Sequence, residues 1–197
     1  MSNKRYNINL QIIGCKVGAT SIIKRFCNKE FEKKPLHQDF YNIIIENFKI
    51  NVWDHCIPNY YYIGIPAFIL KNFDGIIMVY DITNIKSFNF IKTHWYQEYL
   101  KEKSNNENEV MDNKKKIYDH LMIIGTKSDE RDKSNFKECV NSDAARDYAH
   151  SIGALFFEVS SKENLNINES FNELINKIKL NYNQNGEEIL QYSIINI

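Results

Sequence analysis

Three short, almost uninterrupted apolar runs constrain this 197-residue chain more than any other feature: residues 75–81 (GIIMVYD), 121–127 (LMIIGTK) and 155–160 (LFFEVS). A strand with one face in water alternates apolar and polar residues, whereas a strand covered on both faces does not. The runs therefore read as strands in the middle of a sheet, and covering both faces requires helices on each side. The intervening sequence supplies them. Residues 87–100 are aromatic-rich, 142–152 open on a candidate cap at Ser142 and stop before Gly153, and 167–182 place Ile167, Phe171, Leu174, Ile175 and Ile178 on one stripe.

The first 53 residues extend the pattern. Ile8, Leu10 and Ile12 alternate with polar residues up to Gly14, and a helical pattern then runs from Thr20 through Ile22, Ile23 and Phe26. Residues 40–45 and 48–53 read as an antiparallel hairpin around Glu46 and Asn47. The expected order, βαββαβαβα, predicts an α/β fold with a mostly parallel six-stranded sheet, helices on both faces, and ligands outside the carboxyl ends of the strands.

Composition narrows the function. With 43% hydrophobic and 13% aromatic residues the chain can bury a substantial core, which excludes a disordered chain. Lys+Arg and Asp+Glu number 25 each, so no global charge favours nucleic acid, and the basic runs at Lys33–Lys34 and 114–116 read as solvated surface. Nucleic acid is not an expected partner. Cys15, Cys27, Cys56 and Cys139 lack metal-ligand spacing, and neither they nor the five histidines cluster, which suits a reducing, cytoplasmic setting. No apolar stretch of about 18 residues occurs, so nothing is expected to span a membrane. Residues 104–118 (SNNENEVMDNKKKIY) are charged, Asn-rich and aperiodic, and are expected to form a loop insertion inside a domain of residues 1–182. Residues 183–197 form a tail with a turn signal and an apolar end.

Four strand-end segments carry a resemblance: GCKVGATS (14–21), GIIMVYDITNIKSF (75–88), GTKSD (125–129) and EVSSK (158–162). Their order and spacing resemble the small GTPases of the Ras superfamily, with the Rab branch the most similar, over roughly residues 6–182. The resemblance implies a P-loop GTPase fold that binds GTP or GDP with Mg²⁺. It implies that Thr126, Lys127 and Asp129 form the base-reading loop, with Asp129 accepting from the ring N–H and exocyclic amine of guanine and the stem of Lys127 covering the ring. Adenine cannot satisfy such a carboxylate. Ser160, Ser161 and Lys162 match the loop whose backbone N–H groups meet the guanine oxygen.

The phosphate side departs from the pattern. A phosphate loop GxxxxGK(S/T) uses glycines to form an anion-binding nest, a lysine for the β and γ phosphates, and a hydroxyl for Mg²⁺. Here Gly14, Cys15, Lys16, Val17, Gly18, Ala19 and Thr20, followed by Ser21, make a loop one residue shorter, with Ala19 where the lysine belongs. Losing a charge-assisted phosphate contact of roughly 1.5–3 kcal/mol weakens affinity by about ten-fold or more. Lys16 is the nearest cation available as a substitute.

The switch segments depart further. Near the place of the Mg²⁺-closing threonine the chain offers Pro35 or Leu36, neither with a hydroxyl, and the DxxGQ motif reads DHCIP at 54–58. Asp54 remains for Mg²⁺, Ile57 replaces the glycine, and Pro58, with no side-chain amide and no backbone N–H, replaces the glutamine that orients water. No catalytic residue is therefore expected, and His55 reads as a surface or packing residue. Tyr60, Tyr61, Tyr62, Ile63 and Phe68 belong to an apolar run that is partly core and partly a candidate protein-partner surface. Rab proteins generally end in prenylated cysteines, whereas the last cysteine here is Cys139, so any membrane contact is expected to be indirect, through a partner. Three readings stay open at this stage: a pseudoGTPase acting as an interaction module, a divergent GTP switch helped by a partner, and a scaffold without nucleotide.

Overall fold

The computed structural model describes residues 6–27, 30–33, 35, 38–55, 73–108, 120–131 and 139–180. Strand β1 (Tyr6–Ile13) leads through a tight loop into helix α1 (Ala19–Phe26), followed by the hairpin β2 (Phe40–Ile45) and β3 (Phe48–His55). After β4 (Gly75–Asp81) come α2 (Ile85–Phe90), a widened π turn (Ile91–Trp95) and α3 (Tyr96–Asn108). The chain closes with β5 (Leu121–Thr126), α4 (Ser142–Ser151), β6 (Leu155–Val159) and α5 (Ile167–Lys179).

The six strands form one sheet in the order β2-β3-β1-β4-β5-β6, and β2 alone runs antiparallel to its neighbour. Every residue of β4 and β5 is buried, which is the physical meaning of their unbroken apolar runs. Alternate residues feed two cores. Ile8, Leu10, Ile12, Ile77 and Val79 pack beneath α1 and α5, while Ile13, Ile76, Met78 and Tyr80 pack beneath α2, α3 and α4. The expected α/β sheet with helices on both faces is what the chain forms.

Three local expectations need correction. The segment expected to be a loop from residue 104 begins as helix, because α3 continues to Asn108. Lys101 pairs with Glu98 at 2.6 Å and the Ser104 hydroxyl donates back to the Leu100 carbonyl at 3.0 Å, so local side-chain contacts extend a helix that lacks an apolar stripe. Helix α4 is capped by Asn141 rather than Ser142, with Asn141 Oδ1 accepting from the Ala144 N–H at 2.8 Å. Helix α5 ends at Lys179, three residues short of 182. Residues 109–119 and the tail 183–197 lie outside the described residues.

The core is tyrosine-bearing, and this sets an alkaline limit. Burial, with the charge of Glu158 as a smaller cause, pushes the Tyr80 phenol well above its usual value, and burial pushes Tyr41 and Tyr148 up to about 12. The unfolded chain loses these protons first, near pH 10, so the folded state holds more protons there. Stability is therefore present below about pH 10 and expected to fall as pH rises toward the folded values. Urea midpoints between pH 8 and 11 measure this. The Tyr80 hydroxyl is fully buried with no hydrogen-bond partner among the described residues. Tyr80→Phe is thus expected to gain about 1 kcal/mol at neutral pH and to flatten the alkaline decline. A loss of stability at neutral pH would mean that the hydroxyl is satisfied.

Candidate functional site

A cavity of about 900 Å³ opens at the carboxyl ends of β1, β5 and β6, where a parallel sheet places its ligands. Its floor is the loop between β1 and α1. Gly14 is held against β4: a Cβ there would lie 2.7 Å from Val17 Cγ2, 2.9 Å from Val79 Cβ and 3.0 Å from the Val79 carbonyl oxygen, so only glycine lets the turn sit this close to the sheet. Gly18 adopts φ 94° and starts α1, whose first N–H groups have no intrahelical partner. Ala19, Thr20 and Ser21 of that first turn line the cavity, which sets the positive end of the helix toward it. Cys15 and Val17, also expected at the site, are buried instead. Lys16, at φ 59°, is exposed and lines the cavity.

The opposite wall is built from the ends of β5 and β6. Lys127, in the left-handed conformation, Asp129 and Lys162 line it together with Ser161. Ser160 is fully buried, and its hydroxyl donates to Asp129 Oδ1 at 2.6 Å while accepting from the Glu163 N–H at 3.1 Å. Lys162 Nζ lies 3.8 Å from Asp129 Oδ2, and Lys127 pairs with Asp81, whose other oxygen accepts from Thr83. Thr126 does something different from its neighbours. It lines the cavity, yet it is 1% exposed and its hydroxyl reaches the Val17 and Tyr80 carbonyls, so it ties the wall at the end of β5 to the floor.

Sequence reasoning missed Arg25. From α1 its Nε donates to the Ser161 carbonyl at 2.7 Å and Nη2 to the Lys162 carbonyl at 3.2 Å, so the helix that carries the phosphate loop also holds the loop beside Asp129. No motif marks such a contact, because residues 136 and 137 positions away receive it. Arg25→Ala is expected to lower affinity for GDP and guanosine alike by about ten-fold, leaving their ratio unchanged, since the family resemblance implies that the loop it releases meets the base. Calorimetric titration of both ligands tests this. A loss seen with GDP alone would assign Arg25 to the phosphates.

Phe31 and Lys33 also line the cavity and were not expected there, and Pro35, expected near the place of the Mg²⁺-closing threonine, lines it too. Lys33, expected as solvated surface, is exposed but faces the site. Of the expected metal residues, Thr20 Oγ1 donates to the fully buried Asp54 at 2.6 Å. Among the described residues no group of three or more His, Cys, Asp or Glu could hold a metal. One hydroxyl beside one buried carboxylate fits Mg²⁺, which keeps waters and takes substrate phosphate oxygens rather than a cage of protein ligands. For His55 only the backbone, closing β3, is described. Leu36, Ile57, Pro58, Tyr60, Tyr61, Tyr62, Ile63 and Phe68 lie outside the described residues.

The hairpin carries exposed aromatic side chains. Phe40 and Trp53, each 37% exposed, stand opposite one another with ring centroids 4.8 Å apart, and Phe73 meets Trp53 edge-on at 6.4 Å.

A parallel α/β sheet, a glycine-bearing loop feeding a helix N-terminus, and a carboxylate-bearing loop across the cavity define a P-loop GTPase fold. Residues 10–180 match the model of the Ras family, and the chain belongs to that family as a Rab-like small GTPase. It is 26% identical to the Ras-related protein RabG2 of Dictyostelium discoideum over 173 residues, covering 84% of this chain and 79% of the relative. It is 28% identical to the Ras-related protein Rab-21 of Bos taurus and of Homo sapiens over 186 residues, covering 90% of this chain and 75% and 74% of those relatives. Ras-family GTPases bind GTP or GDP with Mg²⁺ and engage protein partners. Among the described residues no helix is long and apolar enough to cross a membrane.

Proposed function

We propose that this chain binds guanine nucleotide through Asp129 and its neighbours, hydrolyses GTP very slowly or not at all unaided, and acts as a pseudoGTPase-like interaction module in membrane traffic or within a complex. The observation that carries this reading is the asymmetry of the cavity. Its base-facing wall keeps Asp129 with the Ser160 hydroxyl and Lys162 around it, whereas its phosphate-facing floor has Ala19 at the lysine position. The substitution of Pro58 for the water-orienting glutamine adds to it, because no atom of proline can donate to an attacking water. Guanine nucleotide is recognised by Asp129, Lys127 covers the ring, and the first turn of α1 meets the phosphates. Mg²⁺, when bound, would neutralise phosphate charge beside Thr20 and Asp54. Partners engage the aromatic segment 60–68 together with exposed Phe40 and Trp53. A cytoplasmic location belongs to the same reading.

A second reading, a GTP switch whose catalytic groups come from a partner, is favoured by the surviving Thr20–Asp54 pair. Nucleotide released from the purified protein, GDP and GTP titrations with and without Mg²⁺, and γ-phosphate release separate the readings. Bound guanine nucleotide with no measurable turnover is expected. Partner-stimulated turnover would establish the switch, and absence of nucleotide together with no binding would establish a nucleotide-free scaffold.

A further inference from the structure

The missing lysine at position 19 leaves a question of charge. Two or three phosphate groups carry several negative charges, and a helix N-terminus contributes only about half a positive charge toward them. Four lysines line the cavity, and they fall into two pairs. Lys127 is bound to Asp81, and Lys162 stands beside Asp129 and Glu163. Among the described residues no carboxylate pairs with Lys16 or Lys33, and both are exposed. Lys16 rises from the phosphate loop itself.

The chain after α1 explains how Lys33 reaches the same space. Phe31, Lys33 and Pro35 of the strap that follows α1 all line the cavity, whereas Glu32 does not. Glu32 faces the other way, where both its carboxylate oxygens accept from Lys24 Nζ of α1, at 2.9 and 3.0 Å. Lys24 is only 7% exposed, and a buried ammonium needs such a partner. The Lys24–Glu32 pair therefore sets the phase of the strap: rotating it by one residue would turn Lys33 outward and strand Lys24.

We infer that Lys16 and Lys33 together form the phosphate-charge clamp of this chain, replacing the single lysine lost at position 19, with the Lys24–Glu32 pair holding the Lys33 strap in place. The inference rests on the guanine-nucleotide reading above. It predicts that the clamp recognises the phosphates alone and not the base, with one member from the phosphate loop and the other from the chain after α1.

The test is calorimetric titration of GDP and of guanosine into the full chain and into Lys16→Ala, Lys33→Ala and Lys33→Arg, with thermal denaturation of each to confirm folding. Each alanine variant is expected to lose about ten-fold or more in GDP affinity with guanosine affinity unchanged, and Lys33→Arg to keep GDP binding. Glu32→Gln, which releases the strap, is expected to reproduce the Lys33→Ala loss in part. The wild-type chain separates the two ideas. If it binds guanosine as tightly as GDP, the base-reading site stands and the clamp is refuted. If GDP binds more tightly but the alanine variants match the wild type, or lose guanosine equally, the clamp is refuted as well. If neither ligand binds the wild type, the nucleotide reading itself falls and takes the clamp with it.

Discussion

Replacing Asp129 with asparagine is expected to lower affinity for GDP and GTP by roughly 10² to 10⁴-fold and to favour the corresponding xanthine nucleotide. A carboxylate offers only acceptors, and guanine presents two adjacent donors that match them. Asparagine puts an N–H against one of those donors, whereas xanthine carries a carbonyl where guanine carries its amine, so the same change suits it. The size follows from the rule that a site built to pair with a ligand group rejects a mismatch through buried polar atoms left unpaired. Asp129 suits this role. It lines the cavity with its side chain 11% exposed, the Ser160 hydroxyl 2.6 Å from Oδ1 and Lys162 Nζ 3.8 Å from Oδ2. Fluorescence titration with labelled GDP and xanthosine diphosphate measures the switch. Unchanged guanine affinity would remove Asp129 from base reading.

The largest stability effect is expected at a residue outside the cavity. Phe171 of α5 is fully buried and stacks on Phe26 of α1 with ring centroids 4.1 Å apart and planes within 11°. Truncating a buried phenylalanine costs about 3–5 kcal/mol through lost burial and the cavity left behind, and Phe171→Ala is expected at the upper end because its ring also supports the neighbouring helix. The consequence reaches the site, since Phe26 follows Arg25, whose guanidinium holds the Ser161–Lys162 loop. Urea denaturation should therefore show a lower midpoint, and excess GDP should restore part of the loss by binding only the folded state. A midpoint within 1 kcal/mol of the wild type would show that α5 can repack without the ring.

The strands were legible because burial on both faces leaves a direct mark: β4 and β5 read as apolar runs and are buried throughout. The hairpin was legible from alternation, and β2 pairs with β3 in the expected register, Ile45 facing Phe48 across Glu46 and Asn47. The end of α3 was not, because a helix without an apolar stripe and rich in asparagine looks like coil until its 98–101 ion pair is seen. The 126–129 motif was legible along the chain, although the contacts of the Thr126 hydroxyl were not. Thr126 looked like one member of a ligand triad, yet its hydroxyl is consumed by carbonyls 109 and 46 positions away. Phe31 and Lys33 escaped for a related reason. Their orientation comes from the ion pair between Lys24 and Glu32, a tertiary contact with no signature along the chain.

That Thr126 hydroxyl has a consequence for the shape of the pocket. By joining β5 to the Val17 carbonyl it braces the mouth of the cavity with protein atoms alone, a job that does not depend on what lies inside. A pocket tied together in this way keeps its shape whether it is filled or empty. Thr126→Val keeps the volume and deletes the brace, and it is the variant in which emptying the pocket should cost the most.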